Sequence, residues 1–81
     1  MAASRRSMER RYDVVLVSAG TRPKRVARTI RTFTDLRQEE ASELLRRAPV
    51  PILQGAHYAT AEGARDALER RGATVEMQAL T

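Results

Sequence analysis

The stretch that decides the fold is residues 12–33, YDVVLVSAGTRPKRVARTIRTF, which passes from a strand pattern to a helix pattern across one short turn. Its first part, Tyr12 to Val17, is rich in β-branched side chains, a composition typical of strands. The run is apolar at consecutive positions, which predicts a strand covered on both faces. Ala19 and Gly20 end it.

The second part of the stretch predicts an amphipathic helix. Thr21 is expected to cap its N-terminus, and Pro23 suits the first turn, where a missing N–H is harmless. Val26, Ile30 and Phe33 recur at spacings of four and three residues, so they share one helix face. We expect those three side chains to point into the molecule.

The opposite face of this helix is wholly cationic. It carries Lys24, Arg25, Arg28 and Arg31. No Asp or Glu lies between Val14 and Thr34, so these charges repel one another by roughly a few tenths of a kcal/mol per pair. This small cost favours an anionic partner for the face. The alternative is a solvated helix surface without a partner.

A second helix is predicted from Asp35 to about Arg47. Asp35 followed three residues later by Gln38 matches a capping box. The apolar stripe of this helix consists of Ala41, Leu44, Leu45 and Ala48. Beyond it, Val50–Leu53 is an extended segment in which Pro51 cannot donate a ladder hydrogen bond, so we expect it at the edge of a sheet.

The last third of the chain predicts a loop, a helix and a strand. Gly55 to Ala59 is expected to be the loop, and Thr60 is expected to cap the helix. The inward side chains of this helix are Ala61, Ala64, Ala67 and Leu68. Gly72 can supply its left-handed terminus, and residues 74–78 alternate strictly, as does a strand with one solvated face.

Together these segments predict one α+β domain with the order strand-helix-helix-strand-helix-strand. We expect a three-stranded antiparallel sheet with three helices packed on one face. The length of 81 residues is that of a single domain. Residues 1–11 are polar and basic and are expected to form a mobile tail, so the domain is assigned to residues 12–81.

The composition argues against several classes of function. The chain has no cysteine and one histidine, His57, so neither a disulfide nor a transition-metal site is expected. Ser18 and Ser42 have no evident histidine partner, and no Gly-rich turn opens a helix as a phosphate cradle does. We therefore expect no catalytic residue, no cofactor and no small-molecule substrate, and we expect that the protein is not an enzyme.

The charges are unevenly distributed along the chain. Residues 1–34 hold nine basic and two acidic residues, whereas residues 35–81 hold six basic and eight acidic ones. Such a one-sided field steers anionic partners, such as RNA or an acidic protein face. No apolar run approaches the roughly 20 residues that span a bilayer, and no signal peptide is recognisable, so we expect a cytoplasmic protein that does not bind membranes.

The ordered set of short motifs resembles a known family. The motifs are Tyr12-Asp13-Val14-Val15-Leu16, Ala19-Gly20, Arg28, Arg31, Glu40-Ala41, Leu44, Ala48-Pro49, Gly55, Ala67-Leu68-Glu69, Gly72-Ala73 and Val75-Glu76. In order and spacing they are similar to the C-terminal domain of the bacterial ribosomal stalk protein, large-subunit protein seven/twelve, from Tyr12 to Gln78. The resemblance implies the same helix-covered sheet.

For function, the resemblance implies recruitment of translational GTPases through the first helix and the start of the second. Arg28 and Arg31 fall at basic contact positions of the family. Lys24 and Gln38 stand where apolar contact residues are usual, and Ser42 stands where lysine is usual. With Arg25 from the cationic face, the expected partner-binding residues are Lys24, Arg25, Arg28, Arg31, Gln38 and Ser42.

Three functions remain open from the sequence. The first is a translation-linked interaction domain, resembling a structural constituent of the ribosome, that binds a translational GTPase or another acidic protein through the cationic helix. The second is salt-sensitive, sequence-indifferent binding of RNA or the ribosome through the same face. The third is peptide binding like that of the Clp protease adaptor, which resembles this fold. Because only residues 1–11 precede the domain, we expect a free-standing monomeric relative of the stalk protein.

Overall fold

A computed structural model describes residues 10–80 of the chain. Its elements are β1 (Arg11–Ser18), α1 (Pro23–Ile30), α2 (Gln38–Arg46), β2 (Val50–His57), α3 (Tyr58–Glu69) and β3 (Thr74–Ala79). The strands form one sheet in the order β2-β1-β3, and both pairings are antiparallel. The predicted α+β class and element order are therefore confirmed, and β2 lies at an edge of the sheet as expected.

The central strand β1 has one buried face. Val14 and Leu16 are fully buried, whereas Val15 is only half-buried. The expectation that β1 is covered on both faces is wrong, because the helices pack together with Val14 and Leu16 in a single core. Leu16 pairs with Val50 on one side and Val75 on the other, so the core face continues across all three strands.

The second strand is longer than the sequence predicts. Its pairing with β1 continues to His57, which lies opposite Arg11, so the loop expected over Gly55–Ala59 is wrong. Gly55 adopts a φ of 67°, and its N–H donates to Asp13 Oδ1 at 3.0 Å. A left-handed glycine held by a side-chain acceptor lets the strand pass an irregularity and then resume its pairing.

The N-terminal tail predicted for residues 1–11 falls largely outside the described residues. Arg10 is exposed and precedes β1. Arg11 is already the first residue of β1, and its Nη1 donates to the carbonyl oxygen of Gly55 at 3.2 Å. The first strand thus begins one residue earlier than expected.

The first helix begins without the predicted threonine cap. Thr21 is exposed, and α1 follows Arg22, whose carbonyl accepts the N–H groups of Arg25 and Val26, both at 3.1 Å. Pro23 is the first helical residue, as predicted. The cap assignment is wrong because the chain enters the helical conformation one residue later than the threonine would require.

The other two helices also begin away from their predicted caps. Asp35 and Gln38 do not form a capping box, because α2 begins only at Gln38. Arg37 precedes this helix, and its N–H donates to Glu40 Oε1 at 2.8 Å, which satisfies one free backbone donor at the helix start. Thr60 lies inside the first turn of α3 and does not cap it, because β2 runs directly into that helix.

The core is built by the sheet and all three helices. The buried hydrophobic side chains are Val14, Leu16, Val26, Ala27, Ile30, Ala41, Leu45, Ala61, Ala64, Leu68, Ala73 and Val75. Gly20, with a φ of 72°, lies so close to the turn before β3 that a Cβ would collide with the Gly72 carbonyl oxygen. Gly72 has a φ of 93° and supplies the predicted left-handed residue, which lies in the turn after α3.

Phe33 does not belong to the buried face of α1. Val26 and Ile30 are buried as predicted, but α1 ends at Ile30 and Phe33 lies in the turn that follows. Its side chain is half-buried, and its N–H donates to the Ile30 carbonyl oxygen at 3.0 Å. The expected burial is wrong because the helical period no longer applies once the chain has turned.

Candidate functional site

The first helix directs its cations to the outside of the molecule. Val26, Ala27 and Ile30 are buried, so the helical period turns the residues between them toward solvent. The exposed cations of this helix and the residue after it are Lys24, Arg25, Arg28 and Arg31, which we call the basic surface. All four residues are exposed, so these side chains lie on the outside of the molecule as predicted.

No carboxylate pairs with the basic surface in the described part of the chain. The ion pairs there join Arg46 to Glu43 at 2.9 Å, and Arg65 to Glu62 at 3.8 Å and to Asp66 at 3.4 Å. All of these side chains belong to α2 or α3. Among residues 10–80, no ion pair therefore compensates the charge of the basic surface, and such a charge attracts anionic groups.

Three of the four cations of the basic surface line two separate concave regions. The first has a volume of about 390 Å³ and is lined by Arg25, Arg28, Thr29, Thr32 and Arg71; we call it the arginine cleft. The second has a volume of about 350 Å³ and is lined by Ala19, Pro23, Lys24, Ser42, Leu45 and Arg46; we call it the α1–α2 groove. The predicted site residues therefore do not form one continuous pocket.

Arg31 and Gln38 lie outside both concave regions. Arg31 is exposed, and its Nε donates to the carbonyl oxygen of Leu36 at 3.1 Å, in the segment between α1 and α2. This hydrogen bond limits the conformations of a side chain that is otherwise long and flexible. Gln38 is half-buried as the first residue of α2, so only part of its side chain can reach a partner.

Arg71 is a site residue that the sequence does not reveal. It precedes Gly72 in the turn after α3, and a pair of arginines at the end of a helix is usually explained by the helix dipole. Its place beside Arg25 and Arg28 depends on the contact between Gly20 and Gly72, which joins two turns far apart in the chain. No local pattern encodes that contact.

A pair of tyrosines lies elsewhere on the molecule. The rings of Tyr12 and Tyr58 are 5.4 Å apart in an edge-to-face arrangement, and Tyr58 is 46% exposed. The Tyr58 hydroxyl donates to Glu62 Oε2 at 2.7 Å. That hydrogen bond, together with the negative charge of Glu62, raises the pKa of Tyr58 above its usual value. The i,i+4 spacing of Tyr58 and Glu62 indicates their hydrogen bond only once the start of α3 is known.

Two other features are absent between residues 10 and 80, a cluster of metal ligands and a membrane-spanning helix. In that range no three His, Cys, Asp or Glu side chains come together as metal ligands. His57 is exposed at the end of β2. Nor does that range contain a helix with the length and apolar character needed to cross a membrane.

Comparison with known proteins connects this geometry to a family. The profile of the ribosomal protein L7/L12 C-terminal domain matches residues 12–78, which include every strand and helix almost in full. The matched range contains every residue of the basic surface and every residue that lines the two concave regions. The match therefore covers the candidate site as well as the core.

Individual relatives agree with the profile. The large ribosomal subunit protein bL12 of Thermobifida fusca is 42% identical over 67 residues, which are 83% of this chain and 52% of that protein. The bL12 proteins of Nocardioides sp. and Saccharophagus degradans are 43% and 42% identical over 67 residues, which are 51% and 53% of those proteins. The chain thus spans about half the length of the curated relatives it matches.

Proposed function

The chain belongs to the family of the ribosomal protein L7/L12 C-terminal domain, and on that basis we propose a translation-linked interaction role for it. The family is structural and non-enzymatic, in agreement with the prediction that this protein is not an enzyme. In our proposal the domain acts in the cytoplasm as a monomer. It docks on an acidic face of a translational GTPase or of another protein of the translation machinery.

The α1–α2 groove is the observation that supports protein docking most directly. Ala19, Pro23 and Leu45 give it apolar lining, while Lys24 places positive charge beside that lining. Arg46 also lines the groove, but its charge is paired with Glu43. Protein interfaces combine a desolvated apolar centre with a charged rim that steers the partner. The groove has both features on a small scale, and Lys24 links it to the basic surface.

Arg31 extends the proposed docking surface toward the segment between the helices. Its hydrogen bond to the Leu36 carbonyl oxygen holds the side chain in place before a partner arrives. A side chain that is already ordered loses less conformational entropy on binding. Arg31 therefore suits the recognition of a carboxylate on an acidic protein face.

The peptide-binding alternative lacks a feature that it needs. An adaptor that captures a peptide amine uses an acidic pair in the turn between the first strand and the first helix. In this chain the end of β1 and the turn after it contain Ser18, Ala19 and Gly20, and no acidic residue occurs from Val14 to Thr34. The stalk family therefore remains the basis of the proposal.

A double charge reversal tests the docking surface. Lys24→Glu with Arg31→Glu should weaken binding to purified translational GTPases at least about tenfold, because each reversal replaces an attraction with a repulsion. Both side chains are exposed and neither lines the arginine cleft. Binding is measured by surface plasmon resonance at fixed ionic strength.

The matched control for this experiment is Arg10→Glu with Arg47→Glu. It changes the net charge by the same amount at exposed positions before β1 and after α2. The control should keep binding within about twofold of the unmodified domain, since only the diffuse field changes. If both pairs weaken binding equally, the docking surface is not where we place it.

A further inference from the structure

The arginine cleft differs in chemistry from the α1–α2 groove. Every side chain that lines it ends in a guanidinium or a hydroxyl group, and none is an aliphatic or aromatic residue. The Thr32 hydroxyl donates to the Thr29 carbonyl oxygen at 2.6 Å, so the available donors are the three arginines and the Thr29 hydroxyl. The cleft therefore presents hydrogen-bond donors and positive charge, and its only apolar surface comes from the carbon atoms of arginine and threonine side chains.

Three positive charges share this small cleft without compensation. Within residues 10–80, neither Arg25, Arg28 nor Arg71 takes part in an ion pair with a carboxylate. All three are exposed, so each guanidinium is free to turn toward a ligand. Mutual repulsion among them is relieved when an anion enters the cleft.

The walls of the cleft are fixed relative to each other. One wall is α1, and the other is the turn that carries Arg71. The turn is ordered by hydrogen bonds to the Leu68 carbonyl oxygen from the N–H groups of Arg71 at 3.0 Å and Ala73 at 3.1 Å. Gly20 also lies close to Gly72, so this turn packs beside the segment that leads into α1. Such preorganisation lowers the entropy lost on binding.

We propose that the arginine cleft binds the phosphodiester backbone of RNA, as a second function that is independent of protein docking. Arginine and threonine are side chains that commonly contact phosphate oxygens in nucleic-acid complexes, and a guanidinium can bind a phosphate through two parallel hydrogen bonds. The core of a protein interface is more apolar than its rim and is enriched in aromatic residues, and no aromatic or aliphatic residue lines the cleft.

The residues that line the arginine cleft also determine its preference for the base sequence of the RNA. The cleft has no aromatic side chain on which a base could stack, and the tyrosine pair Tyr12 and Tyr58 does not line it. Stacking platforms and base-edge contacts are what give single-stranded binding its strength and selectivity. The cleft therefore follows the RNA backbone and is indifferent to base sequence.

The test compares two adjacent arginines. Arg71→Ala removes a side chain that lines the cleft, whereas Arg70→Ala removes an exposed neighbour of the same charge that does not line it. The probe is a fluorescent twelve-nucleotide oligouridylate, with affinity measured by anisotropy across a KCl series. Thermal unfolding of both variants confirms that each is folded.

We expect Arg71→Ala to weaken RNA binding about fivefold at low salt. Its log-log salt slope should fall by about 0.7, the value for one lost contact to a single-strand phosphate, while Arg70→Ala stays within about twofold and keeps the slope. A polyglutamate peptide of twelve residues should bind more weakly than the RNA. Binding of translational GTPases should be within about twofold of normal in Arg71→Ala, so the two proposals succeed or fail separately.

Two results would overturn the proposal. Equal losses of RNA affinity in Arg70→Ala and Arg71→Ala would show that the diffuse charge of the domain, rather than the cleft, attracts the RNA. Polyglutamate binding as tight as RNA binding, with the same loss in Arg71→Ala, would assign the cleft to acidic protein segments instead.

Discussion

Gly20 is the residue at which a substitution should most directly lower the stability of the fold. In Gly20→Ala the new Cβ meets the carbonyl oxygen of Gly72, and the backbone has a φ of 72°, which L residues rarely adopt. Because a backbone overlap cannot be relieved by rotating a side chain, we expect a loss of about 1–3 kcal/mol in the free energy of unfolding. Urea denaturation followed by circular dichroism measures this.

Gly63 provides the control for that substitution. It lies inside α3, and a Cβ there meets no atom within 4 Å. Gly63→Ala should stabilise the domain by about 0.5–1 kcal/mol, because alanine loses less backbone entropy than glycine in a helix. Similar destabilisation by both substitutions would contradict the role we give to the Gly20–Gly72 contact.

Single-residue predictions from the sequence failed where several residues offered the same local chemistry. Thr21 and Thr60 are both plausible caps by type, yet neither caps a helix. The helix start depends on where the chain leaves the sheet, and β2 continues to His57. Cap chemistry contributes only about 1 kcal/mol, so strand pairing can override it.

At the scale of one element, the start of α2 rests on a single side-chain hydrogen bond. Glu40→Ala removes the acceptor of the Arg37 N–H, which lies at 2.8 Å. We expect the free energy of unfolding to fall by about 0.5–2 kcal/mol, as for the loss of a helix cap. The same urea experiment measures the change.

Glu39 separates this hydrogen bond from the general effect of charge. It is also exposed in the first turn of α2, so Glu39→Ala removes the same favourable charge near the helix N-terminus. Because Glu39 is not the acceptor of the Arg37 N–H, its loss should cost only about 0.3–1 kcal/mol. Equal effects at the two positions would mean that the hydrogen bond contributes nothing.

Elements with a strong period were predicted more accurately than elements without one. The helical spacing of Val26 and Ile30 in α1 and the alternation of β3 match the structure closely. The apolar run of β1, which has no period, predicts the position of the strand but not its single buried face. The second half of β2 has no such pattern, and it depends on Gly55 and on the Asp13 side chain of the neighbouring strand. Pairing between strands is a tertiary interaction, so no local window contains it.

For the whole molecule, the small core should make stability sensitive to single deletions. Ile30 is only 1% exposed and is among the largest buried side chains. Ile30→Ala should cost about 2–5 kcal/mol, a large part of the roughly 5–15 kcal/mol that stabilises an ordinary domain. Thermal and urea unfolding should therefore show a much less stable domain.

Ile30→Val supplies a graded comparison. It removes one methylene group and should cost about 0.5–1.5 kcal/mol, because most of the packing remains. A loss from Ile30→Ala no larger than that from Ile30→Val would show that α1 is not held by its buried face. In that case the outward direction of the basic surface would lose its physical basis.

The sequence by itself determined the direction of the basic surface. Val26 and Ile30 must leave water, and a helical period of 3.6 residues then turns the cations between them outward. Only the tertiary structure decided how those cations are divided. Lys24 lines the α1–α2 groove, while Arg25 and Arg28 line the arginine cleft together with Arg71, whose turn lies close to the α1 side of the molecule at Gly20 and Gly72. Hydrophobic periodicity acts within one element, whereas the meeting of side chains from separate elements depends on packing across the whole core.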